Sequence, residues 1–517
     1  MTKMLLLLLA LSVPTFAQTS LQSGQYSVPA GFTFSCSTPS YHEVNGELVL
    51  KSAITCSIAH PVATDPGGTA LTSCQEISNS GSYYLANDVS CTTQGFALDA
   101  DNISLNLNGH TITYGGANQM AAIALCDGWY SGFAGCTGDG HHANPEVYGG
   151  VITQAPGSAP FSHAIVVGEA NGISGGYVHD LTINISSAGS QALHGEYPAG
   201  GWKFENNIVN DTVKNIQQPG QSPLSARSQF QGYAFYTDNG PASPTAAGNL
   251  WQNITINGSP QGGIVDSEPN STFKGNHIKL SSAYSNDYCI LANVPGQSIT
   301  GNVCSGRGRG IDSESYGFTI TGNTISVHEE ANNSEYGGCE LDGAYGIRIK
   351  NYPMIGGYVP STNWTVSDNT VTVGTQYCNG TGITFTDLPA GVSGIVSGNV
   401  FTVPHGVGAS YALAFEGFAA DAIQFSQNLF TADTAALIGG DGSINFGSWT
   451  IQSGQTWTIS AGPTVWAQDV TLGQTMNGSP AISPQLTIQD PVSNASANCY
   501  DYSTAVVSVG SYQHTCN

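Results

Sequence analysis

One short phrase recurs along this chain and leaves few folds open to it: a hydrophobic residue, two small or polar residues, Asn, and then alternating apolar residues. It reads Phe204-Glu205-Asn206-Asn207-Ile208, Phe273-Lys274-Gly275-Asn276-His277-Ile278, Ile299-Thr300-Gly301-Asn302-Val303 and Ile320-Thr321-Gly322-Asn323-Thr324-Ile325. It returns as Val366-Ser367-Asp368-Asn369-Thr370-Val371, Val396-Ser397-Gly398-Asn399-Val400-Phe401 and Phe425-Ser426-Gln427-Asn428-Leu429. From Asn276 the steps are 26, 21, 46, 30 and 29 residues, which sets one coil at 21 to 30 residues, with the 46 spanning two. A period in this range, built of β-branched residues and Gly/Asn turns, predicts a β-solenoid; helical repeats need longer apolar stripes. Asn suits the corner between two strands because it tolerates the left-handed conformation and its amide can hydrogen-bond along a stack.

A second strand per coil shows between these phrases, at Gly263-Ile264-Val265, Cys289-Ile290-Leu291, Gly310-Ile311, Gly346-Ile347, Gly382-Ile383 and Ala412-Leu413. Strict alternation from Asp101 to Ile112 marks an early rung. That rung resembles the opening of the exported, pectate-lyase-like β-helix proteins. The expected fold is all-β, a right-handed parallel β-helix with an N-terminal cap and a C-terminal β cap or small β module. Its segments are a leader at 1–17, a disulfide-containing region and cap at 18–94, the β-helix at 95–445 and a C-terminal β segment at 446–517, where the Asn phrase stops and Trp449, Trp457 and Trp466 enter.

The apolar run from Met4 to Leu11, followed by Thr15-Phe16-Ala17, has the form of a secretory leader cleaved after Ala17, and no later stretch is long and apolar enough to span a membrane. The expected location is therefore extracellular or periplasmic, as a soluble monomer. With 35 Asp and Glu against 11 Lys and Arg, nucleic acid is excluded as a partner, because its binding needs cation-rich patches. Twelve cysteines in an exported chain read as disulfides between near neighbours: 36 with 56, 74 with 91, 126 with 136, 289 with 304, 339 with 378, and 499 with 516.

Registering the residues after each Gly-Ile pair gives, rung by rung, Asp266 and Glu268; Leu291 and Asn293; Asp312 and Glu314; Arg348 and Lys350; Thr384 and Thr386; Ala414 and Glu416. His194, Glu196 and Asp238 extend the face upstream. Four of the chain's few cations, Arg307, Arg309, Arg348 and Lys350, fall between residues 307 and 350. Two readings fit: a salt-bridge ladder neutralising the acidic rungs, or a groove for an anionic, hydroxyl-rich chain with carboxylates transferring protons.

The run Asn286-Asp287-Tyr288-Cys289-Ile290, then Cys304-Ser305-Gly306-Arg307-Gly308-Arg309-Gly310-Ile311, then Gly346-Ile347-Arg348-Ile349-Lys350, resembles the catalytic stretch of the polygalacturonase family of glycoside hydrolases. That family carries Asn-Thr-Asp, Asp-Asp-Cys, Cys-Ser-Gly-Gly-His-Gly and Arg-Ile-Lys on successive rungs. The resemblance implies that Asp266 and Asp287 are catalytic carboxylates, that Cys289 and Cys304 form the family disulfide, and that Arg348 and Lys350 bind substrate. The chain departs from the pattern where Tyr288 replaces the second Asp, Arg309 the His, and Ile264-Val265 the Asn-Thr. Asp312 and Glu314 offer an alternative acid or base, with Arg309, Glu268 and Tyr288 as further substrate-binding residues. The expected function is action on, or binding of, an acidic, uronate-containing polysaccharide at a hydrolase-like site without a cofactor. A polysaccharide lyase in which Asp266, Glu268, Asp312 and Glu314 hold Ca2+ is one alternative. A non-catalytic glycan-binding or cell-surface β-helix is the other.

Overall fold

A computed structural model describes residues 66–125, 143–167, 175–196, 200–212, 233–238, 247–259, 262–281, 288–314, 317–328, 344–350, 364–375, 379–386, 393–406, 410–418, 422–426 and 428–432, and within 18–59 and 434–515 the backbone of the strands. The chain divides into two units, residues 1–219 with 253–258 and residues 220–252 with 259–517. Every described element is a strand, and outside 18–59 nearly all pair in parallel, which makes the protein an all-β parallel solenoid.

In the larger unit each coil carries three strands where the sequence pattern led us to expect two. The Asn phrase is two strands and the corner between them. One coil runs Ser298–Thr300, Val303–Arg307, Arg309–Ser313; the next runs Thr319–Thr321, Thr324–His328, Ala344–Lys350. Successive coils stack residue on residue, with Ile299 on Ile320, Cys304 on Ile325 and Ile311 on Ile347. These side chains point inward and are almost wholly buried, so the core is a set of apolar columns.

The recurrent asparagine ties the coils together from inside. The side-chain amide of Asn276 donates to Oδ1 of Asn302 at 2.9 Å, Asn302 to Asn323 at 2.9 Å, and Asn323 to Asn369 at 2.9 Å. Asn369 continues to Asn399 and Asn399 to Asn428, both at 2.8 Å. Each acceptor also takes the backbone N–H of the preceding asparagine, and each amide reaches back to a main-chain carbonyl, as Asn323 does to Ile299 at 3.0 Å. The left-handed residue is the one before, Gly322 at φ 67° or Asp368 at φ 56°, not the ladder asparagine itself. The corner thus needs a residue that accepts positive φ followed by one whose side chain can be buried and fully hydrogen-bonded. Because Asn323 bonds Asn369 directly and Thr319 lies beside Thr365, the 46-residue step is one coil with long insertions, not two coils.

The smaller unit repeats the scheme. Ile103–Asn106 shows the expected in-and-out alternation, and Thr111–Tyr114 stacks on Glu146–Gln154, which stacks on Tyr177–Ile185. Parallel stacking already begins at Thr69–Leu71 on Gly81–Leu85, while the strands of 18–59 pair antiparallel. In the larger unit the parallel series Thr434–Gly440, Thr456–Ile459, Gln485–Ile488, Val506–Val509 is followed by an antiparallel partner, Tyr512–Thr515. Disulfides join Cys74 to Cys91 and Cys289 to Cys304, as expected. Cys36 and Cys56 are opposite each other on paired strands. The pairs 126 with 136, 339 with 378, and 499 with 516 lie outside the described residues or side chains, as does the leader.

On the outer face of the smaller unit, His179 sits between two carboxylates, 2.8 Å from Asp180 and 3.3 Å from Glu146, with the rings of Tyr148 and Tyr177 stacked against it. Burial opposes its protonation, but the hydrogen bonds and charges of Asp180 and Glu146 outweigh it and raise its pKa. A raised histidine stabilises the fold fully below its unfolded value of about 6.5, and that contribution is lost as pH rises through the folded value. The Tm difference between the wild type and His179→Gln should therefore shrink from about pH 5.5 to about pH 9. A second expectation concerns the ladder: Asn323→Ala strands the amide of Asn302 and the carbonyl of Ile299. Each unsatisfied buried group costs about 1–3 kcal/mol. Urea unfolding should show a loss well above that of Thr321→Ala on the neighbouring outer face.

Candidate functional site

Along the third strand of each coil in the larger unit, side chains alternate between the core and the outer face. The small or apolar residue before each isoleucine lets coils approach, as Gly346 does: a Cβ there would fall 2.1 Å from Val371. The isoleucine points in, and the residue after it points out. One outward column therefore reads Tyr236, Val265, Leu291, Asp312, Arg348, Thr384, Ala414. From Leu291 onward this is the register expected from sequence. Asp266 is the exception, since it pairs with Ala292 and falls on the inward column, one residue out of step with the expected face.

Asp266 is fully buried and its carboxylate is enclosed by donors. Trp251 Nε1 donates at 2.6 Å, Thr237 Oγ1 at 2.9 Å, the backbone N–H of Glu268 at 2.8 Å and Asn249 Nδ2 at 3.3 Å. Burial raises its pKa, while the bonds from Trp251, Ser271, Glu268 and Thr237 pull it back. Glu268, also buried, is pushed up to about 8 by desolvation and by the charge of Asp266. The structure therefore does not bring Asp266 into one group with Asp312 and Glu314.

The structure does bring together Tyr288, Arg309, Asp312, Glu314 and Arg348, with Tyr345 added. Arg348 grips Asp312 with two nitrogens, Nε to Oδ1 at 3.0 Å and Nη2 to Oδ2, and reaches Glu314 Oε1 at 3.2 Å. Such fork-to-fork pairing is the strong geometry for a guanidinium. Arg309 is buried between two tyrosine rings, its Cζ 5.4 Å from the centre of Tyr288 and 5.0 Å from that of Tyr345, and it donates to the Tyr288 hydroxyl at 2.9 Å. Arg348 lies over the same rings at 5.3 and 5.8 Å. Tyr288 stays protonated, pushed up to about 12 by burial against the opposing pull of Arg309. Upstream, Tyr233, Tyr236, Val265, Tyr288 and Leu291 continue the face as a buried apolar cluster.

Glu314 keeps some exposure, 17% of its side chain, where the carboxylate of Asp312 keeps none. Desolvation and the nearby charge of Asp312 push its pKa up to about 7, against the pull of Arg348 and Lys350. It is a carboxylic acid poised to give or take a proton near neutrality, with two cations beside it. Lys350 is half-buried on the strand that carries Arg348. Asp287 and the side chains of Glu196, Asp238 and Glu416 lie outside those described. His194 is buried in the smaller unit, stacked on His163 at 4.6 Å with its Nδ1 2.6 Å from Gln191.

Among the described residues no three of His, Cys, Asp and Glu converge as metal ligands. The carboxylates named for Ca2+ do not fit one, because Asp266 is saturated by donors and Asp312 faces a guanidinium. Tyr345 escaped the sequence reading although it stands just before Gly346-Ile347, as Arg309 stands before Gly310-Ile311. Trp251 gave no signal, since an inward Trp in an alternating strand reads as core. Comparison of the chain with family models, with curated proteins and with solved structures finds no match in any of the three.

Arg348→Ala leaves Asp312 as an uncompensated buried charge, a loss of about 3–5 kcal/mol where one partner of a buried pair is removed. Denaturant unfolding should show it, and Arg348→Lys should recover only part, since an ammonium cannot span both carboxylate oxygens.

Proposed function

We propose that the chain is a secreted, carbohydrate-active β-solenoid that takes an acidic polysaccharide along the third-strand face, with Glu314 as proton donor and Lys350 gripping substrate carboxylates. The observation that carries this reading is the partly exposed Glu314, whose pKa is pushed up to about 7 beside Arg348 and Lys350. A general acid works best when its pKa lies near the operating pH, and carboxylates whose environments separate their titration mark acid and base roles. Arg348 acts through its neighbours, fixing Asp312 and holding Glu314 in place. The leader-like Met4 to Ala17 and the two disulfides support export. The test is incubation of the purified chain with a panel of uronate-containing polysaccharides while reducing ends are counted. Turnover should fall as pH rises through about 7, as the acid loses its proton. Glu314→Gln should abolish turnover and leave the fold intact.

A second reading is favoured by the sealing of Asp266 and the locking of Asp312. Hydrolysis needs a second carboxylate facing the bond, and neither of these faces outward unengaged. A glycan-binding solenoid without turnover would then retain the same polysaccharides on a column at low salt, with no new reducing ends. Release of an ultraviolet-absorbing unsaturated uronate would instead point to a lyase.

A further inference from the structure

The second strands of the coils from Val303 to Thr431 in the larger unit carry an outer face without carboxylates, in a chain that is acidic as a whole. Five consecutive strands, Val303–Arg307, Thr324–His328, Thr370–Gly374, Val400–Thr402 and Leu429–Thr431, stack in unbroken parallel register. Their first outward column is Val303, Thr324, Thr370, Val400, Leu429; their second is Ser305, Ser326, Thr372, Thr402, Thr431. The inward residues between them, such as Ile325 and Val371, are buried in the core and hold the face rigid. None of the chain's 35 Asp and Glu falls in either column over these coils. Lys279, Arg307 and His328 stand only at its borders. The outward residues are half-buried to exposed, and none of their hydroxyls is taken up by a protein partner among the described residues. On the adjoining first-strand face, by contrast, Thr321 and Ser367 hydroxyls bond each other at 3.1 Å.

Parallel stacking spaces equivalent residues about 4.8 Å apart along each column, and alternate residues of a strand are about 6.6 Å apart across the columns. The β-branched threonines have few rotamers to lose, so hydroxyls and methyls are held in place. A fixed, uncharged, two-dimensional array of this kind fits a solid whose surface is itself neutral and repeats at close to these two lengths. Crystalline water has such a surface: ice repeats near the column spacing in one direction and near the strand spacing in the other. Charged side chains would hold their own hydration instead, and they are missing where the array runs. We infer that this face binds ice, with the waters between hydroxyls and methyls ordered as a layer of the crystal.

The purified full chain should shape growing ice crystals, separate their melting and freezing points and slow the coarsening of polycrystalline ice. Thr370→Lys at the centre of the array should abolish all three effects while the circular dichroism spectrum stays unchanged. Ser326→Lys, one coil away on the other column, should do the same, which guards against a misfolded single variant. Glu314→Gln should leave ice shaping untouched, separating this activity from the polysaccharide reading. Ice that grows unshaped in the presence of the folded wild type overturns the inference, as does shaping that survives both lysine variants.

Discussion

The asparagine ladder is the interaction on which the larger unit depends. A parallel sheet wound into coils needs a tight corner on every turn, and corners bury main-chain groups that strands would otherwise pair. Here each buried amide satisfies a carbonyl and the next asparagine, while its oxygen takes two donors from the coil before. The corner is therefore closed chemically as well as sterically. Everything else, the isoleucine columns inside and the polar columns outside, inherits its register from that fixed point. A one-residue slip would turn every core side chain outward.

Asp266 and Glu314 show how far the sequence could be read and where it fell short. The coil period, the parallel stacking and the outward register of Leu291, Asp312 and Arg348 were legible because each rests on a local rule: a corner every coil and alternation along a strand. Asp266 broke that rule. The local pattern there is inverted, with Val265 outward in an apolar cluster and the charged residue inward, stabilised by an indole N–H that no spacing discloses. The length of the coil holding Asn323 and Asn369 was misread for a different reason. Insertions add residues without adding a corner, so residue count alone does not count coils. The tyrosine sandwich around Arg309 needs contacts across coils, which follow only once three strands per coil are known.

Charge is used sparingly in this protein, and that gives the third-strand face its character. With 11 Lys and Arg in the whole chain, placing Arg309 and Arg348 against the same two rings concentrates positive charge where water is largely excluded. Asp312 answers one of them directly. Glu314, held nearer to solvent by the same guanidinium, is left with an environment that favours its protonated form. The outer columns of threonine, serine and aliphatic residues on the second strands are built by the opposite principle, without carboxylates in a strongly acidic chain.

The direct bond between Asn323 and Asn369 has a consequence for how such a protein changes over generations. Loop-closure entropy grows only slowly with length, and the ladder takes no notice of what lies between its asparagines. Segments of very different length are thus accepted at the third-strand side without disturbing the coils above and below. Lineages can trade or lengthen these insertions one at a time while the scaffold stays fixed. Divergence of that kind leaves the coil pattern recognisable to the eye long after pairwise sequence similarity has faded.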